Sequence, residues 1–159
     1  MRINADVDEQ GQPVADAWKK FELFARTDYE KMQIDILTPE NVAGEWPPAE
    51  GELLLERLSA EYPGVQIHDP VWIETPDGQF FEFSVDGTIR NPAWESATLS
   101  RLGAGFVSED TLEDLGLPAG YNMIAIRLLS DVPDRKRLES VATDVRQMLE
   151  NTPFTSNPH

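Results

Sequence analysis

Pro70-Val71-Trp72-Ile73-Glu74-Thr75-Pro76-Asp77-Gly78-Gln79-Phe80-Phe81-Glu82-Phe83-Ser84 is the stretch whose reading decides the fold. Pro76-Asp77-Gly78 carries turn chemistry, because proline presets the first corner and glycine accepts a left-handed one. With that turn, Thr75 faces Gln79, Ile73 faces Phe81 and Val71 faces Phe83, and these apolar residues share one face. Trp72, Glu74, Phe80, Glu82 and Ser84 fall on the other. Turn position and two-residue period agree, which sets the register of an antiparallel hairpin.

Upstream, Phe21, Leu23 and Ala25 lie on one side of an alternating run from Lys19 to Ala25, with Glu22 and Phe24 on the other. Met32, Ile34 and Ile36 alternate again after Thr27-Asp28-Tyr29-Glu30, which predicts two antiparallel strands joined by a turn. Ile3 to Val7, followed by Asp8-Glu9-Gln10-Gly11-Gln12 and then Pro13-Val14, reads as an N-terminal hairpin. Residues 38–51 hold Pro39, Gly44, Pro47, Pro48 and Gly51 and read as a surface loop carrying Trp46. From Glu52, the spacing of Leu54, Leu55, Leu58 and Tyr62 predicts a helix that Pro63-Gly64 stops.

Downstream, Asn91-Pro92 and Gly103 bracket an expected helix over Ala93 to Leu102, and Ser108 starts another that Gly116 and Pro118 end. Tyr121 to Leu129 is short and mostly apolar, as a central strand would be. After Pro133, Leu138, Val141, Ala142, Val145, Met148 and Leu149 make the apolar stripe of a final helix. The expected fold is α+β: a single domain over 1–151 with a largely antiparallel sheet, the Leu54 and Leu138 helices packed on one face, and a flexible tail at 152–159.

The chain has 159 residues, 40% of them apolar, enough for one buried core. Seven Phe, four Trp and three Tyr argue against global disorder. No cysteine is present, which removes disulfides, thiolate metal sites and thiol nucleophiles. The start, Met1-Arg2-Ile3-Asn4-Ala5-Asp6, has no apolar leader, and no segment is long enough to span a bilayer, so a soluble cytoplasmic protein is expected.

Net charge is −16, and the segment from Met32 to Ile89 supplies −11 of it, with twelve carboxylates against Arg57 alone. Such a field repels nucleic acid and anionic lipid and attracts basic proteins. Four Lys beside nine Arg also fits adaptation to high salt. Neither salt adaptation nor solubility explains why the deficit of bases concentrates in one segment, since residues 131–159 hold five acids and four bases.

Extending the hairpin register puts His68 opposite Asp86 and near Ser84, the one arrangement that resembles an acid-base pair beside a hydroxyl. No nucleophile elbow or oxyanion site accompanies it, so a cross-strand ion pair is the plainer reading. Asp6-x-Asp8-x-Gln10-Gly11 has the alternating oxygens of a calcium loop, but Ala17 stands where a bidentate Glu is needed, and a hairpin turn accounts for it better. His159 stands alone, and no metal is expected. Gly103-Ala104-Gly105 lacks the third glycine of a dinucleotide loop and reads as a helix cap and turn. Arg135-Lys136-Arg137 sits beside Asp131 and Asp134, which disfavours nucleic-acid binding, and no cofactor is implied.

These residues make three functional expectations. The first is a non-catalytic acidic interaction domain that docks on a basic protein partner, as inhibitors, immunity proteins, nucleic-acid mimics and acidic chaperones do. Trp46, Trp72 and Phe80 would be its anchors, with Glu74 and Glu82 between them. A cover over that hairpin face would make the three rings core instead. The second is a small-molecule binder or hydrolase-like enzyme using His68 and Asp86, and the third a salt-adapted domain of unrelated role.

Overall fold

The computed structural model describes residues 1–61, 64–94, 96–117, 123 and 134–151. Its strands are β1 (Arg2–Asn4), β2 (Lys19–Ala25), β3 (Thr38–Val42), β4 (Leu53–Glu56), β5 (Pro70–Glu74), β6 (Phe80–Arg90) and β7 (Gly103–Val107). Its helices are α1 (Arg57–Ala60), α2 (Ala97–Ser100), α3 (Glu109–Asp114) and α4 (Arg135–Asn151). Strands follow one another as β3-β6-β4-β7-β2-β1-β5, and β5 bonds back to β6. Six strands therefore close into a barrel, and β3 lies outside it on β6.

The length of β6 makes the closure. Its first half pairs antiparallel with β5, while its second half runs parallel to β4 on one edge and antiparallel to β3 on the other. The expected α+β class holds as a small domain of strands and helices, and the sheet is largely antiparallel as expected, in five of its seven pairings, but it closes into a barrel where an open, helix-covered sheet was expected. β4–β6 and β2–β7 are parallel, and closure removes the edges an open sheet would expose. β3, the remaining edge, is blunted by Pro39 and by a bulge at Glu40.

Alternating side chains fill the barrel: Ile3, Phe21, Leu53, Leu55, Val71, Ile73, Phe83, Val85 and Val107 are all buried in one cluster. β7 contributes glycine at Gly103 and Gly105 because the Phe21 ring needs that space. A Cβ at Gly105 would lie 2.6 Å from the tip of that ring and 3.0 Å from Leu53 Cδ1. The segment expected to be a cap and turn is thus a central strand.

A second apolar layer covers one outer wall of the barrel. Leu54, Ile89, Ala104 and Phe106 point outward there and are buried under Tyr29 and Leu37, with Phe24, Met32, Trp46 and Trp94 packed around them. β4 is consequently buried on both faces, none of its four residues being more than 1% exposed. Consecutive leucines suit a strand covered on both sides as well as a helical stripe, and here the strand prevails. The expected helix from Glu52 shrinks to the single turn α1, begun by the Glu56 carboxylate accepting from Ser59 N–H at 3.1 Å.

The expected strand at 32–36 is instead a loop whose Ile34 and Asp35 carbonyls accept from the Arg26 guanidinium at 3.1 and 3.0 Å. A side chain satisfies the groups a neighbouring strand would have paired. The loop expected at 38–51 contains β3. The helix expected over 93–102 is only α2, because the Asn91 side chain turns back to accept from Ala93 N–H at 3.0 Å. β1 pairs with β2 and β5, and its expected hairpin reduces to one bridge, Val7 to Pro13.

The β5–β6 hairpin has the expected register, Val71 to Phe83 and Ile73 to Phe81, around Gly78 at φ 84°. α3 also follows expectation. Ser108 caps it by accepting from Thr111 N–H, and Gly116 at φ 69° ends it, with Leu117 N–H reaching Leu112 O at 3.1 Å. The chain divides into two compact units, residues 1–124 and 125–159, of which α4 belongs to the second. α4 forms where the apolar stripe predicts a helix. The strand expected at 121–129 and the tail at 152–159 lie outside the described residues, save Met123. No helix among the described residues is long and apolar enough to cross a membrane.

Candidate functional site

Two backbone irregularities meet where β5 and β3 part company along β6. Against β4, the register of β6 passes from Leu53–Val85 to Leu54–Gly87, which leaves Asp86 as an extra residue. Its carboxylate accepts from Leu53 N–H at 3.0 Å, and its carbonyl accepts from Ala43 N–H at 2.7 Å. Beside it, the Glu52 carboxylate accepts from Glu45 and Ala49 N–H, the latter at 2.9 Å. Asp86 and Glu52 together hold the segment from Ala43 to Leu53 against the barrel. Burial pushes the Asp86 carboxyl above its ordinary value; the Leu53 N–H opposes this, Glu52 adds to it, and His68 opposes it.

His68 itself is displaced by the second irregularity. His68 N–H bonds Val85 O at 2.7 Å while Val85 N–H bonds Asp69 O at 3.1 Å, so His68 and Asp69 both stand against Val85. His68 takes the left-handed conformation, φ 74°, that this kind of bulge requires. The extended register therefore fails by one residue, and His68 is not the cross-strand partner of Asp86. Ser84 lies opposite Pro70, exposed, and no hydrogen bond among the described residues joins it to His68. The bonds made here go to backbone, and they support a fork in the sheet.

The five proposed partner-binding residues separate. Trp46 belongs to the outer apolar layer, its ring 5.3 Å from Tyr29 and nearly edge-on at 70°. Trp72, Glu74, Phe80 and Glu82 lie together on the outer face of β5–β6. Phe80 is 53% exposed and packs 5.5 Å from Trp18, whose ring also carries the Arg2 guanidinium at 5.4 Å. Arg2 in turn pairs with Glu74. Trp72 is half-buried, and its indole N–H has no partner among the described residues. Lys20 opposes Arg2 across the strands, so this face carries bases among its acids.

An open cleft of about 460 Å³ lies where the ends of β2 and β7 meet the proline loop. Arg26, Asp28, Glu30 and Lys31 come from the turn after β2, Pro47 and Pro48 from the loop, and Ser108, Glu109 and Asp110 from the start of α3. Tyr29 anchors the turn: its hydroxyl donates to Val107 O at 3.0 Å, and burial pushes its phenol far above the ordinary value. Arg26 is occupied, gripping both Asp28 oxygens at 2.8 and 3.0 Å, which holds the Asp28 carboxyl below its usual range. That leaves Glu30, Glu109 and Asp110 against Lys31.

The sequence gives no sign of this cleft, since residues 28, 47 and 109 adjoin only through the fold. Among the described residues, no three His, Asp or Glu side chains converge to hold a metal ion. Asp8 is engaged in its own turn, accepting from Gln10 and Gln12 N–H at 2.9 Å each. No protein-family model matches the chain, and no curated protein matches it either.

Proposed function

We propose that this chain is a non-catalytic interaction domain that docks on a basic protein partner, with the cleft between Glu30, Pro47–Pro48 and Glu109–Asp110 receiving a lysine or arginine side chain. The observation that carries this reading is the cleft itself: four carboxylates line it, and one of its two bases, Arg26, is already neutralised by Asp28. An incoming cation meets Glu30, Glu109 and Asp110, while its methylene stem lies on Pro47, the partly exposed member of the proline pair. The wider field of a −16 chain steers such a partner toward the surface, and a fixed concavity gives it a register. The second irregular region, at His68 and Asp86, binds backbone.

The test is a titration of isotope-labelled protein with a short arginine-rich peptide at low ionic strength, followed by amide shifts. Saturable changes confined to residues 28–31 and 108–110, reduced in Glu30→Gln with Glu109→Gln, support the proposal. Shifts spread evenly over every exposed carboxylate, or none at all, would remove it and leave the charge as a matter of solvation.

A further inference from the structure

The outer face of β5 and early β6 engages one arginine of the chain itself and leaves a ring and a carboxylate open beside it. Arg2 lies 5.4 Å from the centre of the Trp18 ring and pairs with Glu74, so it is already engaged. Register places Phe80 opposite Glu74 and Glu82 opposite Trp72, on the same face. Phe80 is 53% exposed. The Glu82 carboxylate is exposed too and makes no hydrogen bond or ion pair among the described residues. We propose that this wall receives an extended segment of a basic protein partner, with an apolar side chain resting on Phe80 and an arginine two residues away pairing with Glu82.

Spacing, charge and edge bonding converge on that occupant. Phe80 and Glu82 stand two positions apart on one strand face, roughly 7 Å, and side chains two apart in an extended ligand have the same spacing. The ring, half in water, gains from apolar cover, and the unpaired carboxylate from a cation. Charge excludes an acidic occupant, a second copy of this chain included. From Pro70 to Val85 the chain has Glu74, Asp77 and Glu82 and neither lysine nor arginine. The segment that Asn4 holds over this face, by donating to Val14 O at 2.6 Å, adds Asp6, Asp8, Glu9 and Asp16 without a base. Arg2 is neutralised by Glu74, and Lys20 stands three strand spacings from Phe80, roughly 14 Å. Lastly, β5 is bonded on both edges, to β1 and β6, so the segment lies across the face and does not add a strand to β5. The wall rests on the basic partner proposed above but shares no residue with the cleft.

Amide shifts of the isotope-labelled full chain test it with two short capped peptides at low ionic strength, one repeating phenylalanine, glycine and arginine, the other made of arginine and glycine alone. The first is expected to give saturable shifts at residues 80–82 and at the Trp18 indole N–H, and the second to leave those signals in place. Phe80→Ser should raise the dissociation constant read there at least about tenfold. Glu82→Gln should raise it about threefold, and it keeps the test open if the first variant does not fold. No shift at residues 80–82 with the first peptide overturns the proposal, whatever happens at residues 28–31 and 108–110. So does a shift there indifferent to both substitutions, or one that the arginine–glycine peptide matches. Shifts at 80–82 with none in the cleft would support the wall and remove the cleft.

Discussion

The barrel has two walls built from the same kind of strand, and they are finished differently. Outward residues of β4, β7 and late β6 are Leu54, Phe106, Ala104 and Ile89, all buried beneath Tyr29 and Leu37 from the loop after β2, with Trp46 from the loop after β3 packed against them. Outward residues of β5 and early β6 are Trp72, Glu74, Phe80, Glu82 and Ser84, of which the last three are exposed. A covered wall becomes a second core, and a bare one is free to recognise something.

The largest effects should follow from damage to the covered wall. Leu54→Ala removes a fully buried side chain between two packed layers, and a loss of about 3 kcal/mol is expected from urea unfolding. Glu82→Ala on the bare wall should change stability by less than about 0.5 kcal/mol. Equal losses would mean that both walls are covered in solution and would end the contrast. Tyr29→Phe comes next. It keeps the ring against Trp46 but leaves Val107 O without its 3.0 Å donor in a buried setting, for an expected cost of about 1–2 kcal/mol.

Asp86, at the fork between the walls, should show itself through pH. Its carboxyl is raised in the folded chain, chiefly by burial, so ionisation opposes folding. The stability it allows is complete below the unfolded carboxyl's ordinary value and is lost as pH rises through the folded one. Asp86→Asn keeps an oxygen for Leu53 N–H and removes the charge beside Glu52. The variant should therefore gain on the parent between acid and neutral pH, by a modest amount because the carboxyl is partly in water. Urea midpoints of both chains at acid and neutral pH measure this, and a pH-independent difference would show that Asp86 ionises without cost to the fold.

These walls also explain what could be read beforehand. The bare wall was legible because polar and apolar residues alternate in Trp72–Ser84 around a turn with its own chemistry, and one covered face gives that alternation its meaning. On the covered wall alternation disappears. Leu53, Leu54 and Leu55 are equally apolar, and a run without a period can be taken for a helix. Gly103 and Gly105 look like loop residues until Phe21, more than eighty positions away, is seen to occupy their space. The net charge and its uneven distribution were plain in the sequence, but the cleft was not, because it joins the ends of β2 and β7 to a proline loop. His68 was misplaced by a bulge, which adds one residue and leaves no mark on the period.

That bulge supplies the smallest test. At φ 74°, His68 occupies a conformation in which a Cβ costs roughly 1 kcal/mol, whereas Glu82 lies in extended strand where glycine is the worse choice by roughly 0.5–1 kcal/mol. Comparing alanine with glycine at each site cancels the loss of the original side chain. Glycine should be the more stable at 68 and alanine the more stable at 82, each by a fraction of a kcal/mol after the greater freedom of unfolded glycine is counted. Chemical denaturation of the four variants reads the sign directly. The same sign at both sites would mean that β5 enters the barrel without the bulge, which would return His68 to a position opposite Asp86 and reopen the acid-base reading of that pair.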